Sequence, residues 1–304
     1  MLTDVATSQD LVTLLPRWQL AMQSDRKASY TIDSYIRGAR YYLTWCATGV
    51  GEHPFTRPTL QRWTTHLLSV GAEPATARIR QQAVRRFAAW LADEKVIERD
   101  PFLGLKSPKI DIKVVERLTD DELRLMLKAC AGTHLHDRRD EACLRLLMET
   151  GMRAGELLAL SVRDIDLVEG VVTIRKGKGG KGRYVPFEAH TGAVVDRYLR
   201  IRRHHPLSHT SSLWLTETGS GDHLSYQGLR TSLLARATAA GIEGFHLHRL
   251  RHTFASRYLS HGGSEGSLMQ MAGWRTRQMV DRYSQDTAAE RALTETRHLQ
   301  LGDL

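Results

Sequence analysis

Residues 245–254, FHLHRLRHTF, place three histidines and two arginines within ten positions. A metal ion, a buried carboxylate or a phosphate opposite them would each explain this crowd of cationic side chains. His248 and His252 would share a helical face, but Arg249 stands where the zinc motif H-E-x-x-H needs a glutamate, and two guanidiniums would repel a dication. His248 and Arg251 could instead hold a phosphate together, because arginine donates bidentately and histidine moves a proton near neutral pH. A buried salt bridge to Asp or Glu is the alternative.

The stretch RKGKGGKGR, residues 175–183, offers three lysines on a glycine-rich turn. Its glycines fit G-x-G-x-x-G, but a dinucleotide-binding motif must open a helix, whereas RYVPF follows here and looks like a strand. A P-loop is excluded too, since Arg183 follows Gly182 where that motif needs Lys and then Ser or Thr. The pattern predicts either an anion-binding hairpin tip or an ordinary solvated turn. The lysines are Lys176, Lys178 and Lys181.

Two further stretches could contribute to the same site. In ETGMRAGELLAL, Arg153 follows a glycine that is typical of a helix stop, and Glu156 comes three positions later; a surface or capping role would explain both. In MAGWRTRQMVDRYSQ, Trp274 and Tyr283 are nine residues apart, and Tyr283 has the helical spacing of a core aromatic. Each stretch alone leaves both a binding site and ordinary packing open.

Composition favours an anionic partner. The 304 residues suffice for two domains, and 43 Lys plus Arg against 34 Asp plus Glu give a formal net charge of +9. Cys46, Cys130 and Cys143 form no C-x-x-C pair, which indicates scattered thiols in a reducing compartment. The sequence has neither a signal-like start nor an apolar run that could cross a bilayer, and it predicts a soluble, cytoplasmic protein with no membrane partner.

The amino-terminal part of the chain has helical periodicity in four blocks, near residues 11–22, 30–45, 60–68 and 75–91. Pro74 fits the first turn of the fourth helix. That helix would carry an apolar face and a basic face, the latter either solvated or turned towards DNA. The basic residues are Arg78, Arg80, Arg85 and Arg86.

The pattern changes after residue 97, where a stretch with two prolines and no periodicity reads as an extended linker. Beyond it, Thr119 and Glu122 fit a helix capping box, and Gly151 fits a helix stop. GVVTIR and RYVPF alternate as the strands of a β-hairpin, and the remainder is mostly helical. We therefore predict a mainly α protein with a small β-sheet (α+β) in its second domain. The predicted segments are an all-α domain over 1–97, a linker over 98–116 and a catalytic domain over 117–304.

The order of these stretches resembles the tyrosine recombinases, the phage integrase family that includes the Xer and Cre enzymes. TGMRAGELLAL, GKGGKGRYVPF, HRLRHTFAS and MAGW, with a tyrosine nine residues after the tryptophan, match as a set, and the resemblance covers nearly the whole chain. It implies a SAM-like helical core-binding domain and a catalytic domain that together clamp DNA. Because the helical pattern begins by about residue 8, it also implies an enzyme without the arm-binding domain of many phage integrases.

The resemblance assigns catalytic roles to named residues. Arg153 and Arg251 would bind the non-bridging oxygens of the scissile phosphate, and Tyr283 would attack it to form a 3′-phosphotyrosyl bond. Lys178 would protonate the leaving 5′-oxygen, and His248 would exchange a proton with the tyrosine. No metal, ATP or other cofactor is implied, because the covalent intermediate retains the phosphodiester energy.

Other positions of the motifs have supporting roles by the same resemblance. Trp274 stands where most members carry histidine; its indole can donate a hydrogen bond but cannot transfer a proton. Glu156 would orient cationic neighbours, and His252 would support packing. Lys176 and Lys181 would bind DNA beside the catalytic lysine.

The implied partners are double-stranded core or attachment sites and further copies of the chain, in a tetramer on synapsed sites, with a small directionality factor as an accessory candidate. The implied task is integration or excision of a phage or mobile element. The tail after Tyr283 would dock on a neighbouring protomer or pack on its own domain. Three rival classes share part of the pattern: a DNA-binding protein without chemistry, a type IB topoisomerase and a metal-dependent nuclease. Six competent active-site positions disfavour the first.

Overall fold

The computed structural model describes residues 8–48, 53–108, 116–175, 182–217, 223–281 and 296. The chain divides into two compact units, Met1–Lys113 and Val114–Leu304. Among the described residues, no helix has the length and apolar character needed to cross a membrane.

The described part of the first unit is helical throughout, apart from its connecting turns. The first predicted block is two helices instead of one, because Pro16 lies at the start of the second and has no N–H to continue the ladder from the first. Pro74 begins the last helix, as predicted. The helices are α1 (Ser8–Thr13), α2 (Leu15–Ser24), α3 (Ser29–Ala47), α4 (Arg57–Ser69) and α5 (Pro74–Asp93).

The core of the first unit is aromatic. The Trp18 and Phe87 ring centroids lie 5.0 Å apart, and those of Tyr42 and Trp63 lie 4.9 Å apart at a steep angle. Helices α3 and α5 approach closely at Gly38, where an added Cβ would lie 2.7 Å from the Cβ of Ala83. A glycine at this crossing is therefore what lets the two longest helices of the unit pack together.

The second unit combines helices with a small sheet. Thr119 and Glu122 form the predicted capping box, in which the Thr119 N–H donates to Glu122 Oε2 at 2.7 Å and the Glu122 N–H donates to Thr119 Oγ1 at 3.1 Å. Helix α7 packs against α9 and α11. The helices are α6 (Asp120–Ala129), α7 (Leu135–Thr150), α8 (Ala154–Leu158), α9 (Ala189–Arg202), α10 (Tyr226–Ala239), α11 (Leu247–Ser260) and α12 (Glu265–Ala272).

The sheet contains the predicted hairpin and one further strand. Strands β1 (Ile165–Asp166), β2 (Val171–Ile174) and β3 (Arg183–Pro186) are antiparallel in that order, with Thr173 opposite Tyr184. The short β1 carries no alternating pattern of its own and was not predicted. The lysine-bearing turn between β2 and β3, residues 176–181, lies outside the described residues. The mainly α fold with a small sheet is confirmed.

Gly151 ends α7 in the left-handed conformation, with φ +59°, which confirms the predicted stop. An added Cβ there would lie 2.1 Å from Cδ1 of the buried Phe254. We expect Gly151→Ala to lower the free energy of unfolding by about 2 to 5 kcal/mol, from left-handed strain and overpacking. Urea unfolding of the full chain checks this. Gly155→Ala is the matched control: its Cβ would meet nothing within 4 Å, and we expect a change within about 1 kcal/mol. Equal effects would contradict the packing argument.

Candidate active site

Arg251 lies inside the second unit on α11 and is only 3% exposed. Its Nη1 donates to the Gly151 carbonyl at 2.5 Å, and its Nη2 donates to the Ala272 carbonyl at 2.7 Å. The two bonds join the end of α7 to the end of α12 and fix the plane of the guanidinium. Both acceptors are backbone carbonyls, so these two bonds are not the buried salt bridge to Asp or Glu that the sequence left open as an alternative.

Arg153 is the N-cap residue of α8, directly after the Gly151 turn. Its backbone N–H donates to Glu156 Oε2 at 2.9 Å, and its Nη1 donates to Glu156 Oε1 at 2.9 Å. The second terminal nitrogen, Nη2, reaches the Gly273 carbonyl at 3.4 Å. The side chain is 29% exposed, so its guanidinium is held by protein groups on one side and remains accessible from solvent.

The end of α12 gathers three guanidiniums. The consecutive carbonyls of Met271, Ala272 and Gly273 accept hydrogen bonds from three different arginines. The last carbonyls of a helix have no partner within it and carry the negative end of its dipole, which makes them suitable acceptors for cations. Arg153 and Arg251, about a hundred residues apart in sequence, are brought to one turn in this way. The third arginine is Arg183.

Trp274 follows this turn immediately. Gly273 takes the left-handed conformation at φ +64°, and the Trp274 N–H closes the turn by donating to the Met269 carbonyl at 2.9 Å. The indole is 9% exposed, and its ring centroid lies 5.1 Å from Cζ of Arg251, within cation–π range. Trp274 therefore belongs to the local core and also contacts a predicted phosphate-binding arginine.

The two histidines of α11 lie next to each other. The ring centroids of His248 and His252 are 5.0 Å apart and nearly perpendicular. His248 is exposed, whereas His252 is half-buried. Within the described ranges, no three His, Cys, Asp or Glu side chains are grouped so that they could hold a metal ion.

Glu156 is a buried carboxylate between two guanidiniums. Burial alone would raise its pKa, but hydrogen bonds from Arg183 and from the Arg153 backbone, together with both positive charges, hold the pKa below its ordinary value. The carboxylate is 8% exposed and stays ionised at neutral pH. That Glu156 orients these cationic neighbours stays a prediction.

Several predicted residues lie outside the described part of the chain. The described residues resume at Gly182, after the lysine-bearing turn. Near the carboxyl end, residues 278–281 form a helical turn in which Val280 is buried. The tail beyond it is described only at residue 296. The predicted site residues outside the described ranges are Lys176, Lys178, Lys181 and Tyr283.

The arginines of α5 do not all share one face. Arg80 lies on the same side of the helix as Ala77, Val84 and Phe87, which are buried, and its Cζ lies 5.0 Å from the ring centroid of Tyr41 on α3. Arg80 therefore departs from the predicted basic face, because its long side chain packs over a neighbouring aromatic ring. Arg78 and Arg86 are exposed, whereas Arg85 is half-buried and its Nη1 donates to Ser107 Oγ at 3.1 Å.

Arg183 was not predicted as a site residue, although it lies within the quoted motif GKGGKGRYVPF. It begins β3, and its side chain is 9% exposed beside Glu156. The feature of the sequence that could have identified Arg183 is its position as the first residue of a strand, directly after the lysine-bearing turn. Nothing local in the sequence indicates that its partner is the carboxylate beside Arg153.

The amino-acid sequence matches a known protein family and individual members of it. Residues 116–290 match the phage integrase family. Tyrosine recombinase XerD of Ralstonia nicotianae is 30% identical over 253 residues, covering 82% of this chain and 81% of the relative. Tyrosine recombinase XerD of Halalkalibacterium halodurans is 32% identical over 248 residues, covering 80% of this chain and 82% of the relative.

Among solved structures, the XerH site-specific recombinase bound to a palindromic difH substrate in a post-cleavage complex has the same fold. It aligns with a TM-score of 0.73 at 19% identity, covering 95% of this chain and 84% of that chain. The family match spans more than half of the sequence, and the XerD relatives extend it into the first unit. The chain therefore belongs to the phage integrase family, the tyrosine-type recombinases that break and rejoin DNA.

Proposed function

We propose that this protein is a site-specific DNA recombinase that cleaves each strand through a 3′-phosphotyrosyl intermediate. The observation that carries the proposal is the convergence of Arg153 and Arg251 on the carbonyl turn at the end of α12, with Trp274 beside them. Two guanidiniums held in fixed orientations suit the two non-bridging oxygens of a phosphodiester, which share one negative charge.

The first step is an in-line displacement at phosphorus. The Tyr283 oxygen forms a bond to the scissile phosphorus while the bond from phosphorus to the 5′-oxygen breaks. The tyrosine proton passes to His248 or to water, and Lys178 supplies a proton to the leaving 5′-oxygen. Arg153 and Arg251 stabilise the charge on the non-bridging oxygens as it grows in the transition state. Rejoining is the reverse reaction with the 5′-hydroxyl of the partner strand.

Trp274 supports the site without moving protons. Its indole N–H can donate a hydrogen bond to the phosphate, but indole has no proton to exchange near neutral pH. Proton transfer therefore falls to His248, which is exposed on α11, or to water. A histidine at position 274 could both donate a hydrogen bond and transfer a proton, whereas here Trp274 has the first role and His248 or water the second.

The substrate is a double-stranded core site, bound in half-sites by single protomers and synapsed as a tetramer. The net charge of +9 and the outward arginines of α5 favour contact with DNA phosphates. Arg78, Arg85 and Arg86 form the face of the first unit that we assign to DNA. Arg80 is left out of this face, since it packs on Tyr41.

The test uses nicked duplexes made from inverted repeats that flank the gene, so that cleavage releases a short strand and traps the intermediate. Wild-type protein, in chelator and without ATP, is expected to form an SDS-resistant adduct on the 3′-phosphate and to leave a free 5′-hydroxyl. DNA binding without any adduct would instead favour a binding protein of this fold. Loss of cleavage in chelator would favour a metal-dependent nuclease, and relaxation of a plasmid that lacks the site would favour a topoisomerase.

For the biological role we propose integration or excision of a mobile element. A second candidate role is resolution of chromosome dimers. A recombination assay on plasmids carrying two candidate sites separates them. Sites found at both ends of a discrete element support the first role, whereas a single chromosomal site that converts plasmid dimers to monomers supports the second.

A further inference from the structure

Arg183 has all three guanidinium nitrogens bonded to groups that surround the phosphate-binding arginines. Its Nη1 donates to Glu156 Oε1 at 3.0 Å, and its Nη2 donates to Glu156 Oε2 at 2.7 Å. Its Nε donates to the Met271 carbonyl at 2.7 Å. This bidentate arrangement with one further bond holds both the carboxylate and the guanidinium in a single geometry.

Two separate routes connect Arg183 to Arg153. The first runs through Glu156, whose two oxygens also accept from Nη1 and the backbone N–H of Arg153. The second runs through Gly273, whose carbonyl accepts from Arg153. A Cβ added at Gly273 would lie 3.1 Å from Nη1 of Arg183, so this turn packs directly on the Arg183 guanidinium.

The charges around Glu156 explain why a second arginine is needed. A buried carboxylate paired with Arg153 alone would form a neutral pair, with no net positive charge left to attract a phosphate. With Arg183 present, the three groups carry two positive charges and one negative charge, which leaves one net positive charge for an incoming phosphate. Arg153 is the guanidinium of the two that a ligand can reach more easily, because its side chain is 29% exposed and that of Arg183 is 9% exposed.

We propose that Arg183 is a positioning residue for the cleavage reaction, acting through Glu156 and the α12 carbonyl turn to hold Arg153 ready for the scissile phosphate. The inference rests on the proposed function, since it requires Arg153 to bind that phosphate. The Arg183 side chain is 9% exposed and all three of its guanidinium nitrogens bond to protein groups, so we assign it no direct contact with the phosphate.

The principal test is the single-turnover rate of adduct formation at saturating DNA. We expect Arg183→Met to lower this rate about 100-fold, the cost of a misplaced catalytic group. Half-site affinity should change by no more than about 3-fold, because many phosphate contacts contribute to it. Arg183→Lys should fall between the wild type and Arg183→Met, since lysine keeps the charge but cannot make all three bonds. If Arg183→Met fails to fold, the rate of adduct formation in Arg183→Lys tests the inference in its place.

Arg175→Met is the control for loss of an arginine–carboxylate pair at a more exposed position, since the Arg175 side chain is 56% exposed. Arg175 lies at the other root of the same hairpin and pairs with the buried Asp164, without contact to Glu156 or Arg153 in the described structure. It therefore tests the general effect of removing an arginine–carboxylate pair from this hairpin. Its adduct rate should stay near that of the wild type.

A double-mutant cycle distinguishes positioning from a general structural role. If Arg183 acts through Arg153, then Arg183→Met should cost no more than about 2-fold in an Arg153→Met background, although it costs far more in the wild type. Independent, multiplying effects of the two changes would overturn the inference.

The pH profile gives a second readout. Glu156 faces Arg153 on its own helix and Arg183 from β3, and these partners keep it ionised. Without Arg183 its pKa rises, so it takes up a proton at higher pH and releases Arg153. We expect the acid limb of the adduct rate to move to higher pH in Arg183→Met and to stay in place in Arg175→Met. A loss by the same factor at every pH would contradict this route.

The outcomes separate the inference from the function on which it rests. Absence of an adduct from the wild type would overturn the proposed function, and the inference with it. A normal wild-type adduct, together with the wild-type rate of adduct formation in both Arg183 variants, would overturn the inference alone.

Discussion

The Tyr283→Phe variant is expected to form no covalent adduct with DNA while binding half-sites as well as the wild type does. Phenylalanine keeps the ring and removes only the hydroxyl oxygen that attacks phosphorus. Without that oxygen no covalent intermediate can form, and neither the arginines nor the lysine can replace it. The measurement is denaturing electrophoresis of the protein after incubation with the nicked duplex, beside a binding assay on the same sample.

Tyr184→Phe is the control for the loss of a tyrosine hydroxyl in the same unit. Tyr184 lies on β3 and is 75% exposed, so its side chain contributes little to packing. The adduct should form normally in this variant. An adduct that persists in Tyr283→Phe would mean that another residue is the nucleophile, and mass spectrometry of the DNA-linked peptide would then identify it.

The Arg251→Lys variant is expected to lower the single-turnover rate of cleavage about 10²- to 10³-fold, the usual cost of removing one preorganised donor to a transition-state oxyanion. Lysine retains the positive charge, but one ammonium cannot span the Gly151 and Ala272 carbonyls that Arg251 bridges. The charge would then be misdirected, and the planar guanidinium that lies over the Trp274 ring would be lost. Rates are measured on protein that is shown to be folded and saturated with DNA.

Stability must be separated from chemistry in this case, because a buried carbonyl left without its donor costs about 1 to 3 kcal/mol. Arg249→Lys provides the comparison. Arg249 lies on the same helix, is 8% exposed, and donates to the Glu116 and Glu243 carbonyls at 2.9 and 2.8 Å. It should lose similar stability and keep its cleavage rate. Equal losses of rate in the two variants would show that Arg251 acts only through the fold.

Local features of the structure were predictable because their causes lie within a few residues. The capping box at Thr119, the stop at Gly151 and the start at Pro74 follow from short-range hydrogen bonds and from backbone sterics that each residue type imposes. The hairpin was visible in the alternation of GVVTIR and RYVPF. Where local signals were weak or misread, prediction failed: β1 has two residues, and Pro16 divides the first helical block.

Residue types and their order along the chain were enough to indicate phosphate chemistry and a family. The packing of distant elements was needed to show that Arg153, Arg183 and Arg251 meet at three consecutive carbonyls at the end of α12, and that Arg80 packs over Tyr41. The difference lies in the range of the interactions. Caps and turns are set by neighbours along the chain, whereas these contacts depend on how α7, α8, α11, α12 and β3 pack, and no local pattern specifies which distant carbonyl a guanidinium will reach.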